Sequence, residues 1–227
     1  MVPAAHICMP HIYNLAVNDV LSALSQHQAF TDEAVASSAE FSEQDLLKDP
    51  VLAIRGFVVA VRSSPQRKEA FRELQQTINA TATTASAKPP AAKQTYELDL
   101  DVRTRWSSTF FMLEQALKLR PTIDMMVNHP QHAPLKKFAL TEAQWSMVEL
   151  AMKILRAAHR GQQLLSGDQH PTLHLAIPAI EYLLGEWESR QKKIKHKASC
   201  FHGEEREKHL RYVHILDAGI EKLAHIN

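Results

Sequence analysis

Tyr96-Glu97-Leu98-Asp99-Leu100-Asp101-Val102-Arg103-Thr104-Arg105-Trp106-Ser107-Ser108-Thr109-Phe110-Phe111-Met112-Leu113 is the stretch in which the chain changes its hydrophobic period. Its first seven residues alternate apolar and mostly acidic side chains, the period-two pattern of a half-buried strand over about 96–102. From Ser108 to Asn128 the period becomes helical, with Met112, Leu113, Ala116, Leu119, Ile123 and Val127 on one stripe. Ser107 and Ser108 read as N-caps. Arg105 and Trp106 therefore stand together at a helix entrance, where a guanidinium can hold a phosphate and an indole can stack on a base. The alternative is structural: Trp106 packs into the core and Arg105 pairs with Asp99 or Asp101.

Outward from this junction, helices dominate. Tyr13, Val17, Val20, Leu21 and Leu24 form the stripe of a first helix from Pro10 to Leu24, and residues 25–45 read as loop. Asp49-Pro50 is an N-cap followed by N1, opening a helix that buries Val51, Ile54, Val58 and Val61. Ser64-Pro65 repeats the signal for a helix burying Phe71, Leu74 and Ile78. Residues 79–94 are small, polar and proline-bearing and read as a flexible linker between an N-terminal helical segment, 1–78, and a second segment, 95–227. Pro121 should divide the helix after the junction. Thr141 and Gln144 make a capping box, with Leu140 and Trp145 as its hydrophobic staple. Leu173, Ile177, Ile180, Leu184 and Trp187 predict a helix running into the basic stretch, and Leu210, Val213, Leu216, Ile220 and Leu223 predict a last one. The predicted fold class is mainly α, a multi-helix bundle with one strand.

At 227 residues, 45% hydrophobic and 22% charged, the composition is that of an ordinary globular protein. Two cysteines, Cys8 and Cys200, are too few for a disulfide scaffold and fit a reducing compartment. No apolar run reaches the roughly 20 residues a membrane helix needs, so no membrane partner is expected. A net charge of +1 makes no global case for nucleic acid, but Arg190, Lys192, Lys193, Lys195 and Lys197 fall within eight residues. Such a run reads as a nuclear-import signal, a phosphate-contacting patch, or a solvated helix end favoured by the macrodipole. No phosphate loop, Gly-x-Ser-x-Gly elbow or His-Glu-x-x-His run is present.

The block Thr104-Arg105-Trp106-x-Ser108-Thr109-x-x-Met112-Leu113 resembles the corresponding block of the hAT superfamily of cut-and-paste DNA transposases. Cys8-x-x-His11-x-x-Asn14-Leu15-Ala16 is similar to the same family's N-terminal motif. Leu165-Ser166-Gly167-Asp168, Pro171-Thr172-Leu173 and Pro178-Ala179-Ile180 look like parts of its helical insertion. The order agrees over about residues 6 to 190. The resemblance implies that the strand belongs to a ribonuclease-H-like core, that the helices are insertion domain, that Arg105 and Trp106 contact DNA, and that the protein is nuclear.

It also implies chemistry that this chain does not carry. The family's two Asp and one Glu hold divalent cations about 3.5 to 4 Å apart for two-metal catalysis. Both Asp precede the Cys-x-x-His motif, and here only Met1 to Ile7 stand there, none acidic; no block matching the Glu can be assigned. The expectation is a truncated or domesticated transposase fragment without catalytic residues and without a resident cofactor. A divalent metal is expected only of a full-length enzyme. Cys8 and His11 could share a zinc ion, but two ligands are half a site, and a buried thiol beside a hydrogen-bonded helix-start histidine is the simpler reading. Expected partners are DNA or, through exposed apolar helix faces, protein. The alternatives are a helical interaction scaffold without nucleic-acid function and a shortened gene model of a full-length transposase.

Overall fold

The computed structural model describes residues 9–24, 46, 49–84, 95–100, 106–165 and 175–224. They are almost entirely helical: α1 (Met9–Leu24), α2 (Pro50–Arg62), α3 (Pro65–Thr84), α4 (Trp106–Lys118), α5 (Arg120–Val127), a 3-10 segment (Pro130–Phe138), α6 (Glu142–Leu165), α7 (Ala176–Ser199) and α8 (Gly203–Ala224). The predicted mainly α class is the class observed. Two compact units divide the chain, one of residues 1–26 with 153–227 and one of residues 27–152. The division falls within α6 and not at 79–94, and α3 continues as helix through Thr84, six residues into the predicted linker. Within this stretch Thr81 returns its hydroxyl to the Thr77 carbonyl at 2.9 Å.

In the first unit α8 lies along both α7 and α1. Tyr13, Ala16, Val17 and Val20 of α1 are buried with Leu183 and Trp187 of α7 and with Val213, Leu216 and Leu223 of α8. The two large polar aromatics are satisfied by the same helix: Tyr13 Oη donates to the Ala158 carbonyl at 2.5 Å and Trp187 Nε1 to the Ile154 carbonyl at 3.2 Å. Two glycines make this closeness possible, since a Cβ on Gly161 would overlap Tyr13 Oη and one on Gly219 would overlap the Trp187 ring and Val20. On α7 the buried face is Ala176, Ala179, Ile180, Leu183 and Trp187, whereas Ile177 is 55% exposed and Leu184 only half-buried. The predicted stripe is thus rotated by one residue, because small Ala176 and Ala179 let the helix sit close and turn Ile177 outward.

The second unit is built on α2, which is buried along nearly its whole length, Arg55 included. Asp49 Oδ1 accepts from the Leu52 amide at 3.0 Å, the predicted cap, and Pro50 follows at N1. Around α2 stand α3, α4 and the 3-10 segment, with the Phe138 ring pressed against Gly56. The long helix predicted from Ser108 is divided as expected, into α4 and α5, with Pro121 at the start of α5. It begins at Trp106, so Ser107 and Ser108 lie inside its first turn and are not its caps. The capping box of α6 forms: the Thr141 amide donates to Gln144 Oε1 at 2.8 Å and the Gln144 amide to Thr141 Oγ1 at 3.3 Å.

The strand predicted over 96–102 is not one over its described part. Residues 95–100 form no regular secondary structure, and 101–102 lie outside the described residues. Side chains take the place of the ladder. Gln75 receives the Tyr96 amide on Oε1 at 2.8 Å and donates Nε2 to the Tyr96 carbonyl at 2.9 Å. Gln115 donates to the Glu97 carbonyl at 3.0 Å and Arg62 to the Leu98 carbonyl at 2.6 Å. With Leu98 buried between them, these four backbone groups are satisfied by helix side chains and not by a neighbouring strand.

Candidate nucleic-acid interface

The residues singled out by sequence are distributed over both compact units. Arg105, Thr104 and Cys8 lie outside the described residues, as do 166–174 of the insertion-like motif. His11 is exposed on α1 and Asn14 half-buried. Trp106, in the first turn of α4, is only 3% exposed. An indole so covered packs; it presents no free face for a base to stack on.

The basic run is a different matter. It occupies the C-terminal half of α7, where Ile194 and Ala198 face the core and Lys192, Lys193, Lys195 and Lys197 are exposed. At 3.6 residues per turn, Lys195, Lys192, His196, Lys193 and Lys197 follow one another around roughly 200° of solvent-facing arc. Arg190 differs: it is half-buried, and its Nε is buried with no hydrogen-bond partner among the described residues. Lys195 Nζ donates to Gln191 Oε1 at 2.9 Å, while Gln191 is bonded to Asp217 of α8. Backbone rigidity is therefore supplied by α8, and the lysine stems stay in water, where they can neutralise phosphates on either side of the helix.

A second group of charges is internal to the other unit. Arg120 reaches Glu142 Oε2 at 2.6 Å and Asp124 Oδ2 at 3.3 Å, and lies 5.2 Å from the Trp145 ring, whose Nε1 donates to Asp124 Oδ1 at 3.1 Å. Hydrogen bonding to Glu142, then to Asp124, pushes the guanidinium still further above its ordinary range. This network ties α5 to the start of α6; sequence reasoning missed it, and the acid-base spacing Arg120, Asp124 is its one local signal. Among the described residues no three His, Cys, Asp or Glu side chains converge to hold a metal ion, and no helix is long and apolar enough to cross a membrane. Cys200 is exposed at the end of α7, and Phe201 stacks on His209 at 5.0 Å.

Comparison with known proteins gives this arrangement its context. The family description "ZBED1 RNase-like helical domain" matches residues 7–154. A Talaromyces stipitatus protein whose name assigns it to transcriptional regulation, tpeD, is 30% identical over 199 residues, covering 85% of this chain and 21% of that protein. A Zea mays protein named for the AC transposase is 25% identical over 166 residues, 71% of this chain and 19% of that protein. The chain thus spans about a fifth of the length of the curated relatives it matches. No solved structure matches it.

Proposed function

The chain belongs to the ZBED1 RNase-like helical domain family and is related to hAT-type transposases, and from that premise we propose that it is a non-catalytic helical module that contacts DNA in the nucleus. The observation that carries this reading is the basic arc of α7, four exposed lysines on a helix end held rigid by α8. Relatives named for transposition and for transcriptional regulation both support a nuclear, DNA-associated role.

Chemistry on DNA would need carboxylates meeting at one point, and among the described residues no such group occurs; Asp124 and Glu142 are bonded to Arg120 and Asp217 to Gln191. In this reading the module holds DNA and does not cut it. Duplex binding should fall steeply with salt, as expected when lysines displace condensed counterions. Replacing Lys192, Lys193, Lys195 and Lys197 by Gln should flatten the slope of log K against log salt by up to about one unit per lost contact. Equal slopes for both proteins would sink the reading, and a purified sample that nicks DNA with magnesium or manganese would overturn the non-catalytic part of it.

Protein association is the second reading, favoured by Leu164 and Ile177, 46% and 55% exposed at the end of α6 and the start of α7. Large exposed apolar side chains, where they cluster, mark interfaces. No DNA binding even at low salt, with self-association in sedimentation, would decide for it.

A further inference from the structure

The 3-10 segment carries a charge pattern that the reading above does not use. Between Asp124 and Glu142 the chain has no acidic residue, yet it has His129, His132, Lys136 and Lys137. Both bounding acids are already held by Arg120. Leu135 and Phe138 anchor the segment in the core, which leaves Lys136 and Lys137 exposed. Pro130 opens it and Pro134 removes an internal donor, so the backbone kinks at His132 (φ −114°, ψ 31°). The kink sets the His129 and His132 rings 5.6 Å apart.

We infer that Arg67, His129, His132, Lys136 and Lys137 form a second phosphate-contacting surface for the DNA backbone, one whose strength rises on acidification. Arg67 enters from α3, with Nη1 bonded to the Ala60 carbonyl at 3.0 Å. His129 Nδ1 accepts from the Gln131 amide at 3.3 Å, so its neutral form carries the proton on Nε2. His132 has positive neighbours on both sides, Arg67 and His129, and with burial they hold its imidazole below the ordinary value. Of the other charges on the elements packed here, Arg62 of α2 is bonded to the Leu98 carbonyl, Glu69 of α3 to Arg72, and Arg120 and Asp124 of α5 to each other, while Lys68 and Glu73 of α3 are exposed. Arg55 of α2 is buried. An anion seated among Arg67 and the two imidazoles would supply the missing counter-charge and draw a proton onto His132.

This inference rests on the proposed DNA contact, and the test separates the two. Binding of the full chain to a duplex is measured at pH 6.0 and 7.5 for the unaltered protein, for Lys136→Gln with Lys137→Gln, and for His132→Gln, with helicity checked by circular dichroism. The expected result is tighter binding at pH 6.0, several-fold loss in the lysine pair at both pH values, and a weaker pH dependence in His132→Gln than in the unaltered protein. The lysines are exposed, so their variant keeps the fold. Binding by all three proteins with the same pH and salt dependence would overturn this site and leave the α7 contact standing. No binding by the unaltered protein would overturn both. The His132 resonance, followed by NMR, should move toward higher pKa with duplex and not with inorganic phosphate at equal phosphate concentration; an equal shift with the free ion would replace DNA by a small anion.

Discussion

At the scale of single residues, the tightest constraints are close approaches. Gly161→Ala and Gly219→Ala each force a methyl into Tyr13 Oη or the Trp187 ring, and overpacking of this kind costs about 1–3 kcal/mol. Urea unfolding should show a lower midpoint for both, with Gly185→Ala, where nothing lies within 4 Å, as the neutral control. Trp106→Ala should cost about 3–5 kcal/mol, since the indole is fully packed. Loss of DNA binding in that variant would therefore report unfolding unless Trp106→Phe, which keeps the packing, loses it too. His132 sets a pH dependence. Burial, His129 and Arg67 lower its folded pKa below 6.5, so the unfolded chain takes up the proton first. Stability should be intact above pH 6.5 and decline as the pH falls below it; the thermal midpoint of His132→Gln should be flatter over that interval. The residue-level signals in the sequence were mixed. Asp49, Thr141 and Gln144 announced their roles because caps are local. Trp106 did not, because an indole next to an arginine looks the same whether it is packed or presented.

Among elements, the helices were legible and their facing was partly so. Periodicity located α1 and α8 and placed their buried sides, yet on α7 it chose the larger Ile177 over Ala176 and Ala179. Hydrophobicity scales favour the bulkier residue, whereas close helix contacts favour the smaller. The segment 95–100 was the clearest difference. Its alternation is not matched by burial: Leu98 is buried, but Tyr96 and Leu100, on the same predicted face, are 37% and 40% exposed, as Glu97 and Asp99 also are. Here Leu98 lies beside Val61 and Arg62 of α2 and Phe71 and Gln75 of α3. Gln75→Ala should leave the Tyr96 amide and carbonyl without their partners, a loss of about 1–3 kcal/mol. Hydrogen exchange at the Tyr96 amide should accelerate while α3 itself stays protected; unchanged exchange would mean the amide has another acceptor.

For the molecule as a whole, the family and the mainly α class were readable from ordered motifs, while the division into units was not. Residues 79–94 have the composition of a linker, but composition says little about which distant helices share a core. α1 is grouped with 153–227 through Tyr13, Val20 and their contacts, a pairing across more than a hundred residues that no local pattern encodes. The candidate interface was likewise visible only as charge. Sequence located the α7 lysines; it took the helix to distribute them around one arc, and the kink at His132 to bring Arg67 and two imidazoles into one neighbourhood.

Gln75 offers Tyr96 one donor and one acceptor, which is what a single residue of an adjacent strand would offer. A side-chain amide reaches its partners through rotatable bonds, so it can be displaced one residue at a time without unfolding α3. Any β-strand arriving from a longer polypeptide would compete with a glutamine, an arginine and a second glutamine, each exchangeable in turn, and not with a cooperative ladder. The segment is thus held by three exchangeable side chains and by the burial of Leu98.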